Sequence, residues 1–319
     1  MSRVFRSKKY WWVNCREKFF FLIFLALFVL ITPTKEGEVA VAAFVELPLV
    51  KQETLPIPSP APYPINISKT RPPNDISAYA IYIVDIHSGV PLYAKNENVP
   101  LPPASTTKLM TALVALDLYK PSDIVTVKES TAGGQRMDLV LHERITVENL
   151  LYGMLIHSGN DAAEQLAFHH QSGYGAFIAA MNEKAKVLHL KQSSFTNPAG
   201  WDELDHKMSA KDLARLAKAA VEHPLIAKMV AIPEITISDV DHVIFHKLKT
   251  TNQLLGKIPG VSGIKTGYTQ EAGQNLVTMV QRDGKKILFV VLRSQDRFAD
   301  TTLLIDWVFK NHQWITYGV

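Results

Sequence analysis

Three short runs hold residue types that could do covalent chemistry. Ser105-Thr106-Thr107-Lys108 sets a hydroxyl and an amine three residues apart, which in a helix is one face. If the serine opens that helix, the unpaired N–H groups and the dipole at the helix start favour negative charge developing beside it. The amine can take the serine proton only when neutral. Bringing a lysine from ~10.4 to near 7 requires roughly 4–5 kcal/mol of desolvation and like-charge repulsion. A second lysine nearby would be the simplest source of that repulsion. Taken alone, the tetrapeptide is equally served by an ordinary helix cap, and the same spacing recurs at Ser262 and Lys265 without a helical pattern.

The second run is His157-Ser158-Gly159-Asn160-Asp161. Glycine permits a tight turn there, which could present the Ser158 hydroxyl and the Asn160 amide on one side; either could instead cap the following helix. The third is Gly263-Ile264-Lys265-Thr266-Gly267-Tyr268-Thr269. A phosphate loop needs Gly-Lys-Ser/Thr, and Ile264 interrupts it. On a regular strand Lys265 and Thr266 face opposite ways, so both serve one site only if the strand is twisted or the threonine acts partly through its backbone. Gly267 leaves room for a ligand at the strand edge. The histidines at 157, 169 and 170 show no metal-ligand spacing and fit surface or supporting positions. Asp202, Glu203, Asp205 and His206 fall together in a loop.

The elements that must position these runs follow from periodicity. Residues 79–86 are strand-like, 87–89 turn, and 90–94 return as a hairpin. After Pro102-Pro103, Leu109, Leu113, Leu116, Met110 and Val114 recur at helical spacing over 105–119. Helices are predicted over 147–157, 161–171, 175–188 and 210–223. Residues 263–269 read as a strand before a second hairpin, 275–282 and 285–293, turned by Asp283-Gly284. A helix from about 300 to 311 carries Leu303, Leu304, Trp307 and Val308 to cover one sheet face. Strands at both ends with helices between predict one α+β domain whose sheet is assembled from distant segments.

Hydrophobic residues make up 47% of the 319 and charged residues 20%, which excludes wholesale disorder. Of 34 basic and 30 acidic residues, six basic and one acidic fall in the first 18, leaving a near-neutral body. That balance argues against nucleic-acid binding. Cys15 is the single cysteine, so no internal disulfide can form. The basic head, with Tyr10, Trp11 and Trp12, precedes thirteen uncharged apolar residues, 19–31. As a helix this run reaches about 20 Å, short for a ~30 Å hydrocarbon core. Residues 1–33 therefore read as an export signal, cleaved near Ala40-Val41-Ala42, or as a retained membrane anchor. In either case the body is exported to the cell envelope. Eight prolines between 48 and 73 predict a polyproline II linker over 34–73, with the folded body at 74–319.

S-x-x-K, S-D-N and K-T-G form a motif set shared by penicillin-binding proteins and class A β-lactamases, and the three runs here follow that order. Pro103-Ala104-Ser105-Thr106-Thr107-Lys108, Ser158-Gly159-Asn160-Asp161, Asn197-Pro198-Ala199-Gly200 and Gly260 through Thr269 resemble the serine D-alanyl-D-alanine carboxypeptidases, low-molecular-mass penicillin-binding proteins of peptidase family S11. The similarity runs from about residue 79 to 307. It implies a β-lactamase/transpeptidase-like α+β fold, a five-stranded antiparallel sheet flanked by helices. It also implies peptidoglycan stem peptides as substrate, β-lactam antibiotics as acylating inhibitors, and no cofactor or metal.

By position, the resemblance makes Ser105 the nucleophile and Lys108 its general base, with Ser158 and Asn160 completing the catalytic group. Lys265 becomes a second cation, Thr266 and Arg297 carboxylate binders, and the N–H groups of Ser105 and Tyr268 the oxyanion hole beside Gly267. Arg293 is as near as Arg297 in sequence. Two departures stand out. S-G-N replaces S-D-N, and the single E-x-x-x-N pair, Glu271 and Asn275, lies beyond K-T-G; both favour a carboxypeptidase over a lactamase. Only 52 residues follow Gly267, too few for the C-terminal β-domain and amphipathic anchor of several relatives, so a tether is expected at the N-terminus. Cleavage of cross-links by the same residues, and an inert wall-binding module, are the alternatives.

Overall fold

A computed structural model describes residues 61–316; the apolar segment and the linker up to residue 60 lie outside them. In chain order the elements are β1 (Tyr63–Asn66), β2 (Ala80–Asp85), β3 (Pro91–Lys95), a 3-10 turn (Ala104–Thr107) and α1 (Lys108–Leu118). There follow β4 (Ile124–Thr126), β5 (Arg144–Thr146), α2 (Val147–Ile156), α3 (Asn160–Phe168), α4 (Tyr174–Val187), α5 (Ala210–Glu222) and α6 (Pro224–Val230). The chain closes with β6 (Glu234–Ser238), β7 (Phe245–Lys249), β8 (Val261–Thr269), β9 (Gly273–Arg282), β10 (Lys285–Ser294), α7 (Arg297–Asn311) and β11 (His312–Ile315).

Five strands form one antiparallel sheet in the order β3-β2-β10-β9-β8. Alternation along β10 shows why it has two covered faces. Leu288, Val290 and Leu292 enter the larger core with the helices of the middle section. Ile287, Phe289 and Val291 meet Leu304, Ile305, Trp307 and Val308 of α7. Helix α1 runs through the larger core, with eight consecutive residues buried from Lys108 to Ala115. A helix covered all round is a central one, and this one starts with a lysine. Strand β8 is the sheet edge that carries K-T-G.

The expected boundary at residue 74 falls too late. Tyr63–Asn66 pairs with His312–Ile315 as a separate two-stranded ribbon, with Pro64 opposite Trp314. A ribbon strand of four residues tolerates proline where a central strand would not. The Trp314 indole donates to Asp85 at 2.8 Å, tying this ribbon to β2. The hairpin β6–β7, the short pair β4–β5 and helix α6 have no counterpart in the sequence expectations. Strands of three residues carry no readable period, and Pro224 at the start of α6 reads as the end of α5. Helix α7 begins at Arg297, earlier than expected, because Asp296 caps it from its side chain onto the Phe298 and Ala299 amides. Among the described residues no helix is long and apolar enough to cross a membrane.

Candidate active site

The turn that opens α1 is under local strain. Ala104 takes a left-handed φ of 49°, a conformation costing a non-glycine residue about 1–3 kcal/mol. The chain then winds one 3-10 turn, and the Thr106 hydroxyl fastens it by donating to the Pro103 carbonyl at 2.7 Å. Within this turn Ser105 is only half-buried while Ala104, Thr106 and Thr107 are buried.

Lys108 is fully buried, and its Nζ lies 2.8 Å from Ser105 Oγ, 2.6 Å from Asn160 Oδ1 and 2.7 Å from the Ala199 carbonyl. The Asn160 amide has its orientation set from behind, since its Nδ2 donates to the Gly133 carbonyl at 2.5 Å. Asn160 Oδ1 and the Ala199 carbonyl can only accept, whereas the Ser105 hydroxyl can also donate. A neutral amine giving its two N–H groups to the obligate acceptors therefore keeps its lone pair for the Ser105 proton. Burial, and second the Lys265 charge, hold the Lys108 amine well below the usual lysine range, against the Asp161 carboxylate pulling it up. The sequence called for desolvation and for a second lysine as the source of repulsion; burial is the larger of the two causes and Lys265 supplies the other.

Ser158 sits at a left-handed φ of 64° between α2 and α3, and its Oγ accepts from Lys265 Nζ at 2.7 Å. Lys265 also donates to the Thr266 carbonyl at 3.1 Å. Burial first, and the Arg297 guanidinium second, bring Lys265 down to about 7. The register of β8 against β9 shifts between Val261 and Ile264, an irregularity of the kind that re-aims side chains. Lys265 and Thr266 are both buried; the Thr266 hydroxyl pairs with that of Thr251 at 2.6 Å.

Of the two arginines, Arg297 belongs to this group. It donates from Nη1 to the Gly267 carbonyl at 2.7 Å, and its Nε is buried without a partner. Arg293 is exposed and bonds the Glu271 carbonyl. Gly267 abuts the serine turn so closely that an added Cβ would lie 3.0 Å from Ala104 Cβ and the Pro103 carbonyl, and 3.1 Å from Ser105 N. The strand-edge backbone at Gly267 and Tyr268 thus stands beside the Ser105 amide, while the Tyr268 side chain is 66% exposed.

Two loops support this group, and the sequence did not single out the first of them. Asn160 N donates to the Gln135 carbonyl at 2.8 Å, and Asp161 accepts the Met137 and Leu139 amides at 3.0 and 3.2 Å. That loop is anchored by His246, whose Nε2 reaches Glu143 Oε1 at 2.7 Å and Nδ1 the Met137 carbonyl at 3.0 Å. Both partners accept. Against burial, which pushes it down, Glu143 holds the His246 pKa above the usual range. Asp202 accepts from Thr269 Oγ1 at 2.6 Å, joining the Asn197-Pro198-Ala199-Gly200 loop to the end of β8. His157 bonds Gln135, and His170 accepts the Ser172 amide. Among the described residues no three His, Cys, Asp or Glu side chains are gathered as a metal site would need.

A sequence model described as D-alanyl-D-alanine carboxypeptidase, peptidase S11, matches residues 66–296, and the chain belongs to this family. Over 246 residues it is 35% identical to the D-alanyl-D-alanine carboxypeptidase DacF of Bacillus subtilis, covering 74% of this chain and 63% of the relative's length. It is 31% identical over 244 residues to the D-alanyl-D-alanine endopeptidase of Escherichia coli, covering 73% of this chain and 78% of that one. The Streptomyces K15 DD-transpeptidase superposes with a TM-score of 0.71 at 29% identity, covering 76% of this chain and all of that one. Penicillin-binding protein D2 of Listeria monocytogenes, solved in an ampicillin-bound form, does so at 0.66 and 30% identity, covering 75% of this chain and all of its own. The fold is the expected transpeptidase-like α+β architecture.

Proposed function

We propose that this protein is a serine D-alanyl-D-alanine carboxypeptidase that removes the terminal D-alanine of peptidoglycan stem pentapeptides through an acyl-enzyme. The observation that carries the reading is Lys108 Nζ at 2.8 Å from Ser105 Oγ, with its remaining partners obligate acceptors. Ser105 gives its proton to Lys108 as Oγ bonds to the carbonyl carbon of the penultimate D-alanine. The N–H groups of Ser105 and Tyr268 take the charge that develops on the carbonyl oxygen. The C–N bond then breaks, and the departing amine is protonated through Ser158, whose hydroxyl is backed by Lys265. Water attacks the ester by the reverse proton route, releasing the shortened peptide and restoring Ser105. Lys265, Thr266 and Arg297 hold the terminal carboxylate, and Asn160 holds Lys108.

The same atoms would cut a D-alanyl cross-link, a reading favoured by the 31% identical endopeptidase relative. Acylation by β-lactams follows from the same nucleophile and is supported by the ampicillin-bound Listeria relative. The basic head and apolar run support export to the cell envelope, with the N-terminal segment as signal or tether.

The test is mass spectrometry of muropeptides incubated with the full chain, alongside Ser105→Ala. Pentapeptide shortened by one alanine, dimers intact and the variant inactive is the expected result. Dimers split would move the assignment to endopeptidase. A folded chain that alters neither substrate would overturn the enzyme reading and leave a wall-binding module.

A further inference from the structure

The loop spanning 197–207 touches both walls of the site. Asn197 Oδ1 accepts the Gly200 and Trp201 amides at 2.7 and 3.0 Å, a turn that directs the Ala199 carbonyl onto Lys108 Nζ. Gly200 lies flush on the serine turn, where any Cβ would overlap the Ala104 carbonyl and crowd Thr107 Oγ1. At the other end of the loop His206 is 2% exposed.

Its protonation follows from its partners. His206 Nδ1 lies 3.1 Å from the Thr196 amide nitrogen, which can only donate, so Nδ1 is bare and the ring proton sits on Nε2. Nε2 is 2.8 Å from Thr107 Oγ1 and donates to it. Burial drives the ring pKa down to about 4, with Glu203 and Asp202 on the same loop opposing and Lys108 on α1 assisting, so the ring is neutral at physiological pH. Thr107 is unusual in its turn. A threonine near a helix start commonly bonds its own backbone, as Thr106 does here, but the Thr107 hydroxyl makes no capping bond and is held from outside by His206.

We propose that His206 is a positioning residue for acylation: its Nε2–H on Thr107 keeps the 197–207 loop in register with the serine turn. That register holds the Ala199 carbonyl on the Lys108 amine, leaving the amine's lone pair directed at Ser105. The inference rests on the reading of Ser105 and Lys108 as nucleophile and base. The bonds of His206 go to Thr107 and to the Thr196 amide and hydroxyl, on the Lys108 side of the loop, so its loss should act on the proton-transfer step before it acts on substrate binding.

The experiment uses the full chain, timing its labelling by a fluorescent penicillin and its release of D-alanine from a D-alanyl-D-alanine peptide. His206→Leu is expected to slow acylation at least ~10-fold, the scale on which small displacements act, with KM within about twofold. His206→Gln offers an acceptor to Thr196 and a donor to Thr107 side by side, and should return acylation to within about threefold of the parent. Thr107→Val should match His206→Leu, and the double variant should lose no more than either single. Parent-like acylation by His206→Leu, a loss confined to KM, or losses that multiply in the double variant would overturn the proposal. If His206→Leu fails to fold, judged by near-ultraviolet circular dichroism, the near-isosteric Thr107→Val decides. A folded parent chain that takes no label would instead refute the acylation reading itself.

Discussion

In the proposed reaction Lys265 meets two conflicting demands. To hold a carboxylate it should be charged, yet its burial and the Arg297 guanidinium bring it down to about 7. The charged form is therefore lost as pH rises through that value, and kcat/KM, which reports the free enzyme, should show an alkaline limb near pH 7. Arg297→Met removes one of the two causes. A lysine without a cationic neighbour gives up its proton less readily, so the limb should move to higher pH while KM rises for want of the second cation. A rate profile between pH 6 and 9 checks both; a limb that stays in place would separate Arg297 from Lys265. Lys108 carries the same physics further. Its low pKa comes first from burial, and burial is a property of where α1 lies rather than of Ser105-Thr106-Thr107-Lys108.

Strand β8 and the serine turn form an element-scale joint whose width is set at one atom. With hydrogen at Gly267, the β8 edge rests on Ala104 and Pro103. A methyl group there must push the strand away by a few tenths of an ångström, while β9 still pairs with it. Gly267→Ala should then lower the acylation rate about 10- to 100-fold by parting the Ser105 and Tyr268 amides proposed as oxyanion donors. The unfolding midpoint should move by only a few degrees, corresponding to ~1 kcal/mol. Single-turnover acylation with calorimetry tests the pairing; a large drop in midpoint with unchanged rate would place the role of Gly267 in stability. Lys265 and Thr266 keep regular register against Val277 and Leu276; Lys265 reaches Ser158, the Thr266 hydroxyl meets Thr251, and it is the Thr266 carbonyl that accepts from Lys265.

Across the whole molecule, the sheet draws β2 and β3 from the beginning of the domain and β8 to β10 from its end, and α7 and the helical middle section cover its two faces. The ribbon β1–β11 adds a clip outside that sheet, with the Trp314 indole on Asp85. A chain starting at residue 74 should unfold about 2–4 °C below one starting at residue 61, corresponding to roughly 1 kcal/mol for a short paired strand. Its acylation rate should match, because β1 pairs with β11 in a separate ribbon and not with the strands of the sheet that carries Lys265. Thermal melts of the two chains, together with labelling rates, test this; equal midpoints would mean that the ribbon contributes nothing to stability.

Ser105, Lys108, Ser158, Asn160 and Lys265 were legible as candidates because three short motifs, each ambiguous alone, occur together in one order, and hairpins and helices around them declare themselves by period. The same logic found the hairpins β2–β3 and β9–β10 and α7 but not β1–β11, whose two strands lie at opposite ends of the domain with a proline in the first, nor β6–β7, two five-residue strands with no glycine or proline turn between them. The Ala199 carbonyl on Lys108 and the Gly133 carbonyl on Asn160 had no signature, since every residue owns a carbonyl and only its placement makes it an acceptor. The choice of Arg297 over Arg293 turned on the Asp296 cap and on which guanidinium reaches Gly267. Residue type, the order of the three motifs and the resemblance they carry by themselves determined the candidate reactive groups, and periodicity the class of fold. Tertiary structure decided which of these groups meet, and it lowered the Lys108 pKa, because desolvation and fixed acceptors exist only once distant segments close over the amine.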